Sequence, residues 1–184
     1  KKENKMSGIQ EKASKLQEYL VKTRRHLHEN PESSLKEFET AAFIQKELTS
    51  FGVPFEKVGE TGTLAIIKGG KGDGRTVLLR ADIDALELPD CTGKPYASKR
   101  PGLNHACGHD AHTAMGLGTA KLLNDIKDTF SGTVKIAFQP AEEIGAGAKQ
   151  FVASGQIDDI DESFAIHVNS SLPVGTFAVQ GGPV

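Results

Sequence analysis

The 184-residue chain has only two cysteines, little net charge and no long apolar run, and each shortage excludes a class of protein. Two cysteines give no disulfide framework in a chain of this size, and the position of Cys107 among histidines indicates metal or nucleophile chemistry rather than a bridge to Cys91. A formal charge of -2 argues against a nucleic-acid or polybasic membrane partner. No apolar segment approaches the roughly 18 residues of a membrane span. We therefore expect a cytoplasmic protein that binds neither nucleic acid nor membranes.

Composition and apolar spacing predict a globular α/β fold. Hydrophobic residues make up 38% and charged residues 25% of the chain, which is ordinary for a protein with a buried core. Helical spacing of apolar residues predicts amphipathic helices at residues 9–28 and 38–51. Short apolar runs bounded by glycines predict buried strands at residues 63–68 and 76–83, joined by a turn.

Helices and strands then continue to alternate. The predicted elements are a helix at residues 111–126, a strand at 133–138, a helix at 145–153 and strands at 164–168 and 175–179. Such alternation favours a central, mostly parallel sheet flanked by helices, in which functional sites collect at the carboxyl ends of the strands. Residues 87–109 form a long irregular stretch, and its length suggests a functional loop.

Histidines are concentrated at the end of that stretch. Three of the six histidines lie in residues 105–112, together with Cys107. In an extended segment Cys107 and His109 would project to the same side, because side chains alternate with a period of two. A thiolate and an imidazole placed together suit a transition metal such as Zn, Mn, Co or Ni. The alternative is a polar loop that precedes and caps a helix.

Two glutamates follow the predicted strand at residues 133–138. Glu142 and Glu143 would lie near the carboxyl end of that strand, and adjacent residues cannot point the same way. One carboxylate could therefore bind a metal while the other acts as a general base. The alternative is a pair of surface glutamates that favour the positive end of a helix.

Three further polar residues lie on or after predicted strands. Asp82 and Asp84 should share one face, where either could orient a histidine or touch a metal, unless they only cap a loop. His167 falls in an apolar strand, and a buried imidazole there needs a partner, either a metal or another side chain.

Five segments in this order resemble the M20 metallopeptidase family, and its amidohydrolase branch most closely. They are residues 25–32 (RHLHENPE), 80–86 (RADIDAL), 105–113 (HACGHDAHT), 139–143 (QPAEE) and 167–168 (HV). That branch includes hippurate hydrolases, indole-acetyl-amino-acid hydrolases and N-acetyl-diaminopimelate deacetylases. The resemblance implies a zinc-exopeptidase-like catalytic domain.

The resemblance also implies a site with two divalent metal ions. Its ligands would be Cys107, His109, Glu143 and His167. Glu142 would be the general acid/base that takes a proton from the attacking water and returns it to the departing amine. Asp84 would support the site from behind the ligands, and the segment at residues 25–32 would be mainly structural. The implied substrate is an N-acyl amino acid or a similar peptide-like small amide.

Members of the family are about twice as long as this chain. The resemblance therefore implies that residues 1–184 are the amino-terminal part of a catalytic domain. A further histidine ligand and an inserted lid domain, through which the family commonly dimerises, would lie beyond them.

Three hypotheses for function follow. The first is a metal-dependent amidohydrolase. The second is a truncated fragment that binds metal or a partner without catalysis. The third, in which Cys107 and His109 form the nucleophile and base of a thiol hydrolase, leaves Glu142, Glu143 and His167 without roles.

Overall fold

The structure is a computed structural model in which residues 8–179 are described. This part of the chain contains five α-helices: α1 (Gly8–Ser14), α2 (Gln17–Glu29), α3 (Phe38–Phe51), α4 (His109–Asp125) and α5 (Gly147–Ser154). It also contains five strands: β1 (Phe55–Val58), β2 (Gly62–Lys68), β3 (Thr76–Asp82), β4 (Thr133–Gln139) and β5 (Glu162–Ala165). None of the helices in the described range is long and apolar enough to cross a membrane.

The strands form one mixed sheet in the order β1-β2-β4-β3-β5. The pairs β3 with β4 and β3 with β5 are parallel. The pairs β1 with β2 and β2 with β4 are antiparallel. The predicted α/β class with flanking helices is confirmed, and the sheet is mixed, with two parallel and two antiparallel strand pairs.

The connection predicted between the strands β2 and β3 contains a turn at residues 70–71, but the two strands are not neighbours, because β4 lies between them. The glycine-rich connection of residues 69–75 instead passes around the start of β4. Gly69 donates its amide to the Gly132 carbonyl, and Gly132 donates to the Gly72 carbonyl. A Cβ on Gly69 would lie 2.4 Å from the Phe130 carbonyl oxygen, so only glycine allows this close passage.

Three other predictions differ from the structure. The single helix predicted for residues 9–28 is interrupted between α1 and α2. The four-residue strand β1 was not predicted, because it is too short to show a clear apolar pattern. Residues 175–179 form a turn and an irregular exposed segment instead of a strand.

The core lies between the sheet and helices α3 and α4. Leu117 of α4 and Phe138 of β4 are fully buried there, as are Ile44 and Leu48 of α3. Gly116 brings α4 against the sheet, because a Cβ at this position would lie only 2.8 Å from the Phe138 ring. Close contact between helix and sheet is what places the first residues of α4 over the strand ends.

The carboxyl ends of the three parallel strands meet at one edge of the sheet. Asp82, the last residue of β3, is in register with Gln139, the last residue of β4. His167 follows two residues after the end of β5. Residues from distant parts of the sequence therefore converge at this edge, as expected for parallel strands.

Candidate metal centre

His109 is the first residue of α4 and is completely buried. Its Nδ1 lies 3.0 Å from the main-chain oxygen of Asp84 and 3.2 Å from Asp84 Oδ1. Both are acceptors, so Nδ1 carries the proton in the neutral ring and Nε2 presents a lone pair. A carboxylate that orients a histidine in this way is typical of metal-binding imidazoles.

Two adjacent glutamates approach the other nitrogen of His109. Glu142 Oε2 and Glu143 Oε1 each lie 3.8 Å from His109 Nε2. The prediction that the two side chains point in different directions is therefore wrong. The backbone of Ala141 is left-handed, with φ of 50°, and a turn follows before α5 begins. This departure from strand geometry brings both carboxylates to one place.

Cys107 and His167 approach His109 from another side. Cys107 Sγ lies 3.5 Å from His167 Nε2, and potential ligand atoms of Cys107, His109 and His167 lie within 4.8 Å of one another. His167 Nδ1 donates to the Val168 carbonyl oxygen at 2.7 Å, which leaves its Nε2 as the ligand atom. The predicted proximity of Cys107 and His109 is thus present.

The reason for that proximity differs from the prediction. Residues 107–109 are not extended, because Gly108 is left-handed, with φ of 93°, and His109 begins a helix. A Cβ on Gly108 would lie 2.4 Å from Val168 Cγ2, so glycine also allows the segment after β5 to approach. His167 was predicted to be buried in a strand, but it is exposed and lies beyond the end of the edge strand β5.

Asp82 and Asp84 are both buried and lie on either side of His109. Asp82 Oδ2 is 3.6 Å from His109 Nε2, while Oδ1 accepts a hydrogen bond from His112 Nδ1 at 2.6 Å. His112 Nε2 accepts the Val168 amide at 2.9 Å. Because both nitrogens of His112 are engaged, it is less suited than His109 to bind a metal.

The surrounding charges shift the pKa values of the site residues. Burial opposes the ionisation of Asp84, but hydrogen bonds from His109 and Ser34 outweigh it and lower its pKa to about 2. Burial also opposes a charge on His109, yet its bond to Asp84 and the nearby carboxylates raise its pKa. Burial and the neighbouring Glu143 raise the pKa of Cys107 to about 11.

The raised pKa of Cys107 bears on the thiol-hydrolase hypothesis. Nucleophilic cysteines have lowered pKa values and electropositive surroundings, whereas Cys107 lies near three carboxylates. A thiol in this environment ionises readily only when a cation is bound beside it. The arrangement suits Cys107 as a metal ligand better than as a nucleophile.

Two buried atoms test whether the site fits a metal. His109 Nε2 and Glu143 Oε1 are both inaccessible, and neither has a hydrogen-bond partner within residues 8–179. Leaving such atoms unpaired is costly, and a metal ion between them would satisfy both. Thiol, imidazole and carboxylate donors together suit first-row transition ions. The residues present therefore fit a divalent metal.

A second buried polar cluster lies behind the loop that carries Cys107. His28 Nδ1 and Arg24 Nε each lie 2.7 Å from Asp110 Oδ2. His105 is buried nearby, and burial lowers its pKa to about 4. These contacts tie α2 to the start of α4, and the mainly structural role of residues 25–32 stays a prediction.

Three residues near the centre were not singled out from the sequence. Arg80 Nη1 is 2.9 Å from Asp82 Oδ2, and its Nη2 is 3.8 Å from Glu142 Oε1. Period-two spacing in β3 could have indicated Arg80, since it shares a face with Asp82. Ser34 Oγ donates to Asp84 at 2.7 Å, and Glu37 accepts the Ala141 amide. No local pattern indicates these two residues, because Ser34 is 50 residues from Asp84 and Glu37 is 104 residues from Ala141.

The sequence matches the model of peptidase family M20/M25/M40 over residues 78–182, more than half of the chain. It is 46% identical over 172 residues to an N-acetyl-L-cysteine deacetylase of Bacillus subtilis, and this alignment covers 93% of the chain and 41% of the relative. It is 43% identical over 173 residues to thermostable carboxypeptidase 2 of Saccharolobus solfataricus, with 92% of the chain and 44% of the relative covered.

A solved structure from the same peptidase family has a similar fold. The crystal structure of the Bacillus subtilis YXEP protein, described as a dinuclear metal binding peptidase from the M20 family, matches with a TM-score of 0.89 and 43% identity. The match covers 93% of this chain and 48% of that one. The chain thus spans less than half the length of the curated relatives it matches.

Proposed function

Since the chain belongs to peptidase family M20/M25/M40, we propose that it is the amino-terminal part of the catalytic domain of a metal-dependent amidohydrolase. The bond cleaved is the amide of an N-acyl amino acid or a similar peptide-like compound. The observation that carries the proposal is the buried Nε2 atom of His109, which faces the carboxylates of Glu142 and Glu143 without a hydrogen bond.

We assign four ligands to a centre with two divalent ions: Cys107, His109, Glu143 and His167. The proximity of the first two to His167, and of His109 to Glu143, supports this set. Zn, Mn, Co and Ni all accept such mixed ligands. Divalent ions here would supply Lewis-acid polarisation of the amide carbonyl and a more acidic water.

The remaining residues carry the proton transfers and the orientation. Glu142 takes a proton from the water that attacks the acyl carbon, and it returns a proton to the nitrogen as the carbon–nitrogen bond breaks. Arg80 Nη2 lies 3.8 Å from Glu142 Oε1, whereas His109 Nε2 faces the other oxygen, Oε2. Asp84 keeps the His109 proton on Nδ1, so that Nε2 stays available.

The names of the relatives support the substrate class. A deacetylase of N-acetyl-L-cysteine and a carboxypeptidase both release an amino acid from an amide bond. We propose the same for the protein to which this chain belongs. Cytoplasmic location is part of the proposal, and the two free thiols, Cys91 and Cys107, support a reducing compartment.

Chelation tests the proposal. Hydrolysis of an N-acetyl amino acid should be lost when metal is removed with a chelator, and it should return on addition of Mn, Co, Zn or Ni. The assay should be performed on the complete polypeptide and on the 184-residue chain. Metal binding by the chain without hydrolysis would support the non-catalytic fragment for the chain alone, and activity that persists in chelator would reject the metal-dependent mechanism.

A variant separates proton transfer from metal binding. Glu142→Gln should reduce kcat by about 100- to 10,000-fold, since a general base commonly contributes that much, while metal content stays unchanged. Glu143→Gln should instead reduce metal content. Equal kcat for Glu142→Gln and the unmodified protein would exclude Glu142 as the base.

A further inference from the structure

Glu37 lies outside the candidate centre, yet its carboxylate reaches the backbone that presents Glu142 and Glu143. It immediately precedes α3 and is completely buried. Oε1 accepts the amide of Ala141 at 2.8 Å, from a residue 104 positions later in the sequence. Oε2 accepts the Thr61 hydroxyl at 2.8 Å.

The amides held by Glu37 Oε1 belong to two unusual residues. Ala141 and Leu35 have φ values of 50° and 65°, and they are the only non-glycine residues with positive φ within the described range 8–179. The Leu35 amide donates to the same Oε1 atom at 3.0 Å. Positive φ is unfavourable for a residue with a Cβ, so the surrounding structure must maintain it.

Ala141 is held from both ends. Its amide donates to Glu37, while its carbonyl oxygen accepts the amides of Ala146 and Gly147 at 3.0 and 3.2 Å. Ala141 therefore holds both ends of the turn that contains Glu142 and Glu143. The Glu143 amide adds a third anchor, since it donates to Asp84 Oδ2 at 3.1 Å.

We propose that Glu37 is a positioning residue for Glu142 and Glu143: its buried carboxylate maintains the left-handed Ala141 and thereby directs both side chains to His109 Nε2. This inference rests on the proposed function, because it assumes that Glu143 binds a metal. Loss of the carboxylate leaves the buried Ala141 amide without an acceptor. The backbone then relaxes toward ordinary φ values and moves the Glu143 ligand.

The test is a titration of the full 184-residue chain with Co²⁺, in which the visible absorption of the bound ion measures binding. Glu37→Ala should weaken cobalt binding by about 10- to 100-fold, the range found for residues that orient metal ligands. Glu37→Gln should stay close to the unmodified chain. The glutamine Oε1 can accept the same amides, and its NH₂ group can donate to the Thr61 hydroxyl.

Two controls separate positioning from stability. Thr61→Val removes the hydrogen bond to Glu37 Oε2 and leaves the two amides on Oε1 in place, so it should lower stability and leave cobalt affinity unchanged. Glu56→Gln changes an exposed carboxylate on β1, away from the centre and from the loop that carries Cys107, and should have no effect. If Glu37→Ala does not fold, Glu37→Asp replaces it, because the shorter side chain withdraws its oxygen from the Ala141 amide.

The outcomes distinguish the two proposals. An unmodified chain that does not bind Co²⁺ rejects the metal centre and, with it, the role of Glu37. A folded Glu37→Ala or Glu37→Asp chain with unchanged affinity and spectrum rejects the role of Glu37 alone. The role of Glu37 is also rejected if Glu37→Gln weakens cobalt binding as much as Glu37→Ala does.

Discussion

His109 and His112 are three residues apart on α4, yet the hydrogen bonding of their ring nitrogens differs. Asp82 and the Val168 amide engage both nitrogens of His112. Asp84 engages only Nδ1 of His109. The difference arises because His109 faces the turn after β4, which offers carboxylates at 3.8 Å and no hydrogen-bond donor to its Nε2.

Two glycines of α4 allow a prediction about single residues. A Cβ at Gly116 would lie 2.8 Å from the buried Phe138 ring and 3.2 Å from Ala81 Cβ, whereas a Cβ at Gly118 would meet the flexible end of Leu20. Gly116→Ala should therefore lower the free energy of unfolding by about 1–3 kcal/mol, the usual cost of overpacking.

Gly118→Ala is the matched control for that substitution. Its steric cost should be offset by the better helix propensity of alanine, so the free energy of unfolding should stay within about 1 kcal/mol of the unmodified chain. Urea denaturation of both variants measures the difference. Equal stability of the two variants would contradict the packing of α4 described above.

Among the larger elements, the loop of residues 87–108 shows how an irregular segment is held in place. Asp90 accepts the amides of Thr92 and Ser98, each at 2.8 Å. Arg100 pairs with Glu32 and Glu39, and Lys99 pairs with Glu29. These contacts hold the loop against α2 and the start of α3, and they thereby fix the position of Cys107 near the end of the loop.

The Asp90 contacts predict a pH dependence of this loop. The amides of Ser98 and Thr92 hold the pKa of Asp90 well below its ordinary value. A folded-state pKa below the unfolded one means that the contribution to stability is complete above about pH 4 and is lost as the pH falls below it. The loop should therefore open at acid pH before the sheet does.

Amide hydrogen exchange, corrected for intrinsic rates, measures that opening. The amides of Thr92 and Ser98 should lose protection below about pH 4, and Asp90→Ala should lose it at every pH. Asp73→Asn, which alters an exposed aspartate elsewhere, should behave as the unmodified chain. Full protection of Ser98 in Asp90→Ala at pH 7 would disprove the role of Asp90.

At the level of the whole molecule, metal binding and folding are linked. The side chains around His109 come from the end of β3 and the residues after it, the loop before α4, α4 itself, the turn after β4 and the segment after β5. Four carboxylates, those of Asp82, Asp84, Glu142 and Glu143, surround it, and their mutual repulsion falls when a cation binds. A ligand that binds only the folded chain also stabilises it.

The linkage predicts a thermal shift. Co²⁺ at 100 times its Kd should stabilise the chain by about 2.7 kcal/mol, which corresponds to about 5–10 °C in Tm for a chain of this length. Cys107→Ser should show a smaller shift at the same Co²⁺ concentration, because it lacks the thiolate. Cys91→Ser, which alters an exposed cysteine, is the control and should match the unmodified chain. An equal shift in Cys107→Ser would argue against Cys107 as a ligand.

Much of this arrangement could be predicted from the sequence alone. Helix α3 coincides with its predicted range, and β2 and β4 differ from theirs by one residue, because apolar spacing and bounding glycines are local signals. The clustering of Cys107 with His109, and of Glu142 with Glu143, was visible for the same reason. So was the resemblance to the family to which the chain belongs.

Only the tertiary structure decided how these residues meet. The position of β4 between β2 and β3, the left-handed Ala141 and the exposure of His167 all depend on contacts between distant segments. Glu37 illustrates the reason most clearly, since its acceptor role is defined by an amide 104 residues away. Local patterns specify which chemical groups the chain carries. The packing of helices on the sheet determines which of those groups come together around His109 Nε2.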